Sequence, residues 1–194
     1  MTITVSKNRY VTTQGVKTLK PITEEWRTFI EDFRNPTLDL FSFPTYSSYL
    51  VEYYTLEEKE TLTDSEKQRR KEVKGFIDGL KFHGGYYFGG AFEGGNRGNK
   101  VVSKSLITLD MDNIPSDIDI INNIVNNSYL CNYEYIVHST AKHLPPKHQR
   151  YRIIIPLETP ITDDIKLKYE CVSRHIASKI TDIKLFDSSA FVDN

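Results

Sequence analysis

Hydrophobic positions follow two different spacings along this chain. In the N-terminal third they recur at helical intervals. Trp26, Phe29, Ile30 and Phe33 fall on one face of a stretch opened by Thr23-Glu24-Glu25. Thr23 suits an N-cap there, and the two glutamates suit a first turn. Asn35-Pro36 ends that helix. The aromatic stretch that follows, with Phe41, Phe43, Tyr46, Tyr49, Tyr53 and Tyr54, reads as packing surface rather than a base-stacking platform. Thr63-Asp64-Ser65-Glu66 has the form of a capping box and opens a charged helix to about residue 74. Glycines then crowd the segment 84–98, interleaved with Tyr86, Tyr87, Phe88, Ala91 and Phe92, and predict short strands joined by tight turns.

The C-terminal half alternates strand-like and helix-like patterns. Residues 105–110 form an apolar strand. Ser116-Asp117-Ile118-Asp119 starts a helix to about residue 126 with Ile118, Ile121 and Val125 inward. Strands at 133–140 and 150–156 flank a turn containing Pro145-Pro146, and the second carries the run Ile153-Ile154-Ile155. Thr162 caps a long helix in which Ile165, Tyr169, Val172, Ile176 and Ile180 recur, and 183–186 reads as a short final strand. The order βαββαβ is the ferredoxin-like or RNA-recognition plan, an α+β fold. A right-handed crossover makes the first two strands parallel, with the third antiparallel between them. The chain thus divides into a mainly helical lobe, 1–83, with a glycine-rich β extension leading into a core at 84–194.

Chemistry enters at the end of the first core strand. Asp110 and Asp112 are two residues apart, so a strand points both carboxylates the same way. Such a pair repels itself unless a cation intervenes, and hard oxygen ligands suit Mg²⁺ or Mn²⁺. The plainer reading is a strand running into an acidic turn. The window from His138 to Arg152 holds Lys142, Lys147, Arg150, Arg152, His138, His143 and His148 and no acid. The predicted topology brings that basic turn to the same sheet edge as the acidic pair. Carboxylates that hold metal facing cations that hold phosphate is an arrangement for nucleotide chemistry. Gly94-Gly95-Asn96-Arg97-Gly98 could meet a phosphate, but it lacks the spacing of a P-loop.

Composition narrows the classes. The chain has 194 residues, 39% hydrophobic and 26% charged, with a net charge of −1. Its charge does not announce a nucleic-acid binder, so such a site must come from local clustering. No apolar run approaches the ~18 residues that span a membrane, and Met1 to Arg9 lacks a signal-peptide core. Cys131 and Cys171 fit no zinc spacing and are expected as reduced, buried thiols of a cytoplasmic protein.

Four elements occur in a fixed order over roughly 84–194: Leu109-Asp110-Met111-Asp112, Ser139-Thr140-Ala141-Lys142-His143, Arg150-Tyr151-Arg152-Ile153-Ile154-Ile155-Pro156, and Phe186-Asp187. Together they resemble the archaeo-eukaryotic primase superfamily, in particular the primase domains of phage, plasmid and genomic-island replication proteins. The resemblance implies a primase-polymerase that joins NTPs or dNTPs on a single-stranded DNA template, beside a helicase module or partner. It implies that Asp110, Asp112 and Asp187 bind Mg²⁺ or Mn²⁺. It also implies that His143, with Ser139 and Lys142, contacts the nucleotide's phosphates, and that Arg150 and Arg152 neutralise triphosphate or template. His138 competes with His143 for that role. Asp187 has a rival reading as the cap of the Ser188-Ser189 turn, and a final strand at 183–186 would carry it to the far edge of the sheet. In the family a further strand commonly follows this aspartate, so the chain reads as a piece of a larger replication protein. Two other functions fit the same residues: a single-strand-binding module without efficient catalysis, and a metal-dependent nuclease.

Overall fold

The computed structural model describes the whole chain except residues 9–18, 35–43, 82–85, 96–98 and 193–194, together with the side chains of Asn8, Lys81, Tyr86 and Asn113. The fold is α+β. The chain separates into two compact units. One comprises residues 1–7, 17–34 and 87–194; the other comprises 8–16 and 35–86.

The larger unit is built on a four-stranded sheet of order β4-β5-β7-β6. Its strands are β4 (Gly90–Phe92), β5 (Val101–Ile114), β6 (Ile136–Ser139) and β7 (Gln149–Ile161). β7 pairs antiparallel with both β5 and β6, so β5 and β6 run parallel on either side of it, as the crossover rule requires. On one face lie α4 (Ile120–Val125) and α5 (Ile165–Ile180), packed on Ile107, Leu109, Met111, Ile153 and Ile155. On the other face Leu106 and Ile154 meet Ile3, Val5, Trp26 and Phe29. This alternation along β5 and β7 places Asp110 and Arg152 on the second face.

The N-terminal segment departs from its helical reading. Thr2–Asn8 is a strand, β1, and Pro21–Glu25 is a strand, β2, paired antiparallel with it; β3 (Tyr86–Phe88) completes the order β2-β1-β3. Ile3 and Val5 alternate inward between Thr2 and Thr4, which is strand periodicity on β-branched residues. Thr23 is therefore no helix cap. α1 (Trp26–Arg34) starts at Trp26, whose N–H donates to the Met1 carbonyl at 2.9 Å. Tertiary pairing satisfies a group that a capping side chain would otherwise serve.

Four further expectations shift. Residues 183–186 form no strand: Ile183–Leu185 is a 3₁₀ turn, joined to β5 only through an antiparallel bridge between Phe186 and Met111. Ile120 and Ile124 are the buried residues of α4, with Asp119 as N-cap; Ile118 and Ile121 pack partly buried against the same core, as expected, but Val125 is exposed. α5 is preceded by Asp164 at φ 45° rather than capped by Thr162. Both cysteines are free and exposed, not buried. Asn96 to Gly98, the centre of the glycine-arginine segment, lies outside the described residues, as do Phe41 and Phe43.

In the smaller unit, α2 (Pro44–Glu57) buries Tyr46, Leu50, Tyr53, Tyr54 and Leu56, while α3 (Asp64–Lys81) buries Val73 and Ile77 at i, i+4 spacing. The capping box at its start closes in both directions. Glu66 N–H donates to Thr63 Oγ1 at 3.3 Å, and Thr63 N–H donates to Glu66 Oε2 at 2.9 Å.

Candidate functional site

β5 and β7 face each other so that Asp110 sits opposite Arg152. The pairing becomes a two-pronged ion pair. Arg152 Nε donates to Asp110 Oδ1 at 2.5 Å, and its Nη2 donates to Oδ2 at 2.8 Å. One step along, Arg150 Nη1 donates to Asp112 Oδ2 at 2.7 Å. A bulge in β5 lies between Met111 and Ile114, where the strand gains a residue relative to β7. It restores inward facing at Ile114 after Met111 and ends the regular ladder beside Asp112.

The 3₁₀ turn at 183–185 delivers the third carboxylate. Asp187 N–H donates to the Asp110 carbonyl at 2.8 Å, so Asp187 stands beside the acidic pair rather than at the far edge. One of its oxygens, Oδ1, also accepts from Ser189 N–H at 2.8 Å, so it caps that turn as well. The three acids share a field. Burial pushes the Asp112 carboxyl above its usual range, Arg150 pulls it back, and the charges of Asp110 and Asp187 add to the upward push.

The basic turn between β6 and β7 meets this edge through His143. Its Nδ1 accepts the Arg150 backbone N–H at 3.1 Å, and its ring packs on Tyr151 with centroids 4.7 Å apart. Burial lowers its pKa, so the neutral ring prevails; with Nδ1 accepting, Nε2 carries the proton and is a donor. Ser139 is exposed at the end of β6 and Lys142 lies in the turn; neither lines the cleft described below.

His138 occupies a different position. It stands opposite Arg152 across β6 and β7, its ring tilted against Phe33 with centroids 5.0 Å apart. Its Nδ1 lies 2.8 Å from the Ser139 carbonyl and donates to it, which leaves Nε2 as a bare acceptor. That atom is buried and has no hydrogen-bond partner among the described residues. Tyr87 presents its ring 5.8 Å from the Arg152 guanidinium. Burial opposes the Arg152 charge, yet Tyr87 and Asp110 outweigh it and raise its pKa. Asp110, Arg152 and His138 thus form one row across three strands.

An open cleft of about 620 Å³ adjoins the acids. Asp112, Asp187 and Arg150 line it with Arg174, Lys184 and Phe191. Sequence pattern gave no pointer to Arg174 or Lys184. Arg174 is an ordinary polar position of an amphipathic helix, and Lys184 sits in a segment that reads as a strand.

Three hard carboxylates at one strand end fit a divalent metal by donor chemistry. As arranged here, Asp110 and Asp112 turn their oxygens to arginines, and among the described residues no group of three acidic, histidine or cysteine ligands closes on one point. Metal binding at these residues therefore requires the guanidinium contacts to be exchanged. Among the described residues no helix is long and apolar enough to cross a membrane.

Comparison with known proteins gives one match. No curated protein and no solved structure matches the chain. A family model described as the VapE N-terminal domain matches residues 45–194, which include every residue of the candidate site. That family occurs in replication-associated proteins of phages, plasmids and genomic islands. Spanning the larger part of the sequence, the match shows that this chain belongs to the VapE N-terminal domain family.

Proposed function

We propose that this domain is a metal-dependent primase-polymerase of a mobile element, joining nucleotides on a single-stranded DNA template. The observation that carries the reading is the bond from Asp187 N–H to the Asp110 carbonyl, which sets a third acid beside the pair at Asp110 and Asp112. Those three residues would hold Mg²⁺ or Mn²⁺. When bound, the metal supplies Lewis-acid stabilisation of the attacking and leaving oxygens. The chain's own residues do the rest. Arg150, freed from Asp112, neutralises phosphate charge, and His143 donates its Nε2 proton to a phosphate oxygen. Arg152, displaced in part from Asp110, remains beside it as a second cation.

The test is calorimetric titration of ATP or dATP with Mn²⁺ into wild type and Asp110→Asn/Asp112→Asn, followed by primer synthesis on single-stranded DNA. The reading expects metal-dependent binding and product, both lost in the double variant. Wild type that is folded yet binds no nucleotide would end it.

A second reading draws on the same ion pairs. With both carboxylates engaged by arginines, the domain would serve as a single-strand-binding module that performs no nucleotide chemistry. It predicts salt-sensitive binding to oligonucleotides and no incorporation. A metal-dependent nuclease would instead consume the DNA without making longer product.

A further inference from the structure

Arg174 and Lys184 lie outside every motif the sequence offers, yet both line the cleft that Asp112 and Asp187 enter. They come from different elements, α5 and the 3₁₀ turn at 183–185. Arg174 is held rather than loose. Its Nε donates to Glu170 at 2.9 Å, and its guanidinium carbon stands 4.7 Å from the centre of the Phe191 ring. This fixes the plane of the guanidinium while leaving further N–H groups unassigned. Lys184 is exposed and has no ion pair among the described residues. With Arg150, three cations line the cleft against two acids, and Asp112 is already paired with Arg150. A cavity of about 620 Å³ is the size of a small-molecule site. It is lined by Asp112 and Asp187 beside the cations.

We infer that Arg174 and Lys184 form a phosphate-chain subsite, which grips the triphosphate tail of the incoming nucleotide in the cleft that Asp112 and Asp187 line. The inference rests on the nucleotide reading above and adds two residues to it. The cations act by position. Arg174 offers planar paired donors to neighbouring phosphate oxygens, and Lys184 offers a movable point charge. Recognition would depend on the phosphate chain and not on the base.

The experiment compares wild type, Arg174→Gln, Arg174→Lys and Lys184→Gln by calorimetry with Mn²⁺. The probes are ATP, adenosine, inorganic tripolyphosphate and an oligothymidylate. Lys179→Gln is the control, an exposed α5 lysine that does not line the cleft. Matched melting temperatures exclude misfolding, and Lys184→Gln keeps the test open if Arg174 variants fold poorly. Each Gln variant should weaken ATP and tripolyphosphate binding about tenfold, the usual effect of one charged hydrogen bond. Arg174→Lys should lose less, and oligothymidylate binding should stay unchanged. ATP binding that is lost in Asp110→Asn/Asp112→Asn but intact in the Gln variants would overturn the subsite and leave the nucleotide reading standing. Loss confined to oligothymidylate would also overturn it and assign the two residues to a nucleic-acid strand. Wild type that binds neither ATP nor tripolyphosphate would overturn both.

Discussion

Asp110 and Asp112 are legible as a pair because strand alternation is a local rule. What alternation does not convey is which cation each meets. That depends on the register of β5 against β7, and the register sets Asp110 opposite Arg152. Asp187 was ambiguous for a related reason. Its apolar run Ile183 to Phe186 suits a strand, but a 3₁₀ turn satisfies the same backbone groups locally and reverses where the next residue lands. Another residue-level pattern was fully legible, the capping box at Thr63 and Glu66, because it involves neighbours only. It carries a pH consequence. The Lys59 ammonium and the Thr63 N–H and hydroxyl hold the Glu66 carboxyl down to about 2. A depressed carboxylate stabilises the fold above its unfolded value, and that contribution fades as pH falls from 4.5 toward about 2. The group lies at the surface, so the effect is small and salt-sensitive. Urea midpoints of wild type and Glu66→Gln should therefore differ near neutral pH and converge on acidification.

At the scale of elements, segments with a clear pattern of their own are legible, and those defined by pairing are not. α5 and the parallel pair β5 and β6 follow from sustained patterns. β1 and β2 are short and are defined by pairing with each other, so the local sequence of Pro21–Glu25 competes poorly against a helical reading. The glycine-rich segment was legible as strand because the close approach demands glycine. A Cβ on Gly90 would lie 1.9 Å from the Ser103 carbonyl oxygen, a backbone atom with no room to yield. Gly90→Ala should detach β4 from β5 and lower the denaturation midpoint sharply. Gly79→Ala is the natural contrast. It lies in α3 with open space around it, and the substitution should stabilise by up to about 1 kcal/mol. Chemical denaturation of the two variants separates a steric requirement from mere flexibility.

In the larger unit as a whole, the central sheet is buried on both faces, and the second face is covered by residues of β1 and α1. Ile154 is the hinge of that arrangement in the packing sense. It is fully buried on the second face, against a cluster that includes Ile3, Val5, Trp26 and Phe29. Ile154→Ala should cost about 2–5 kcal/mol in urea unfolding, whereas Val125→Ala, at an exposed position, should stay within about 0.5 kcal/mol. This coverage was not legible in the sequence. The run Ile153-Ile154-Ile155 announces a strand buried on both sides, yet it does not say that residues more than a hundred positions earlier supply one of the covers.

The bond between the Asp187 amide and the Asp110 carbonyl has a practical corollary. Its proton is shielded from solvent only while the two segments are joined, so its deuterium exchange clocks the opening of this corner. A labelled amide at this position would report how often the third acid leaves the other two. A ligand that bridges all three would slow that clock without any turnover being observed.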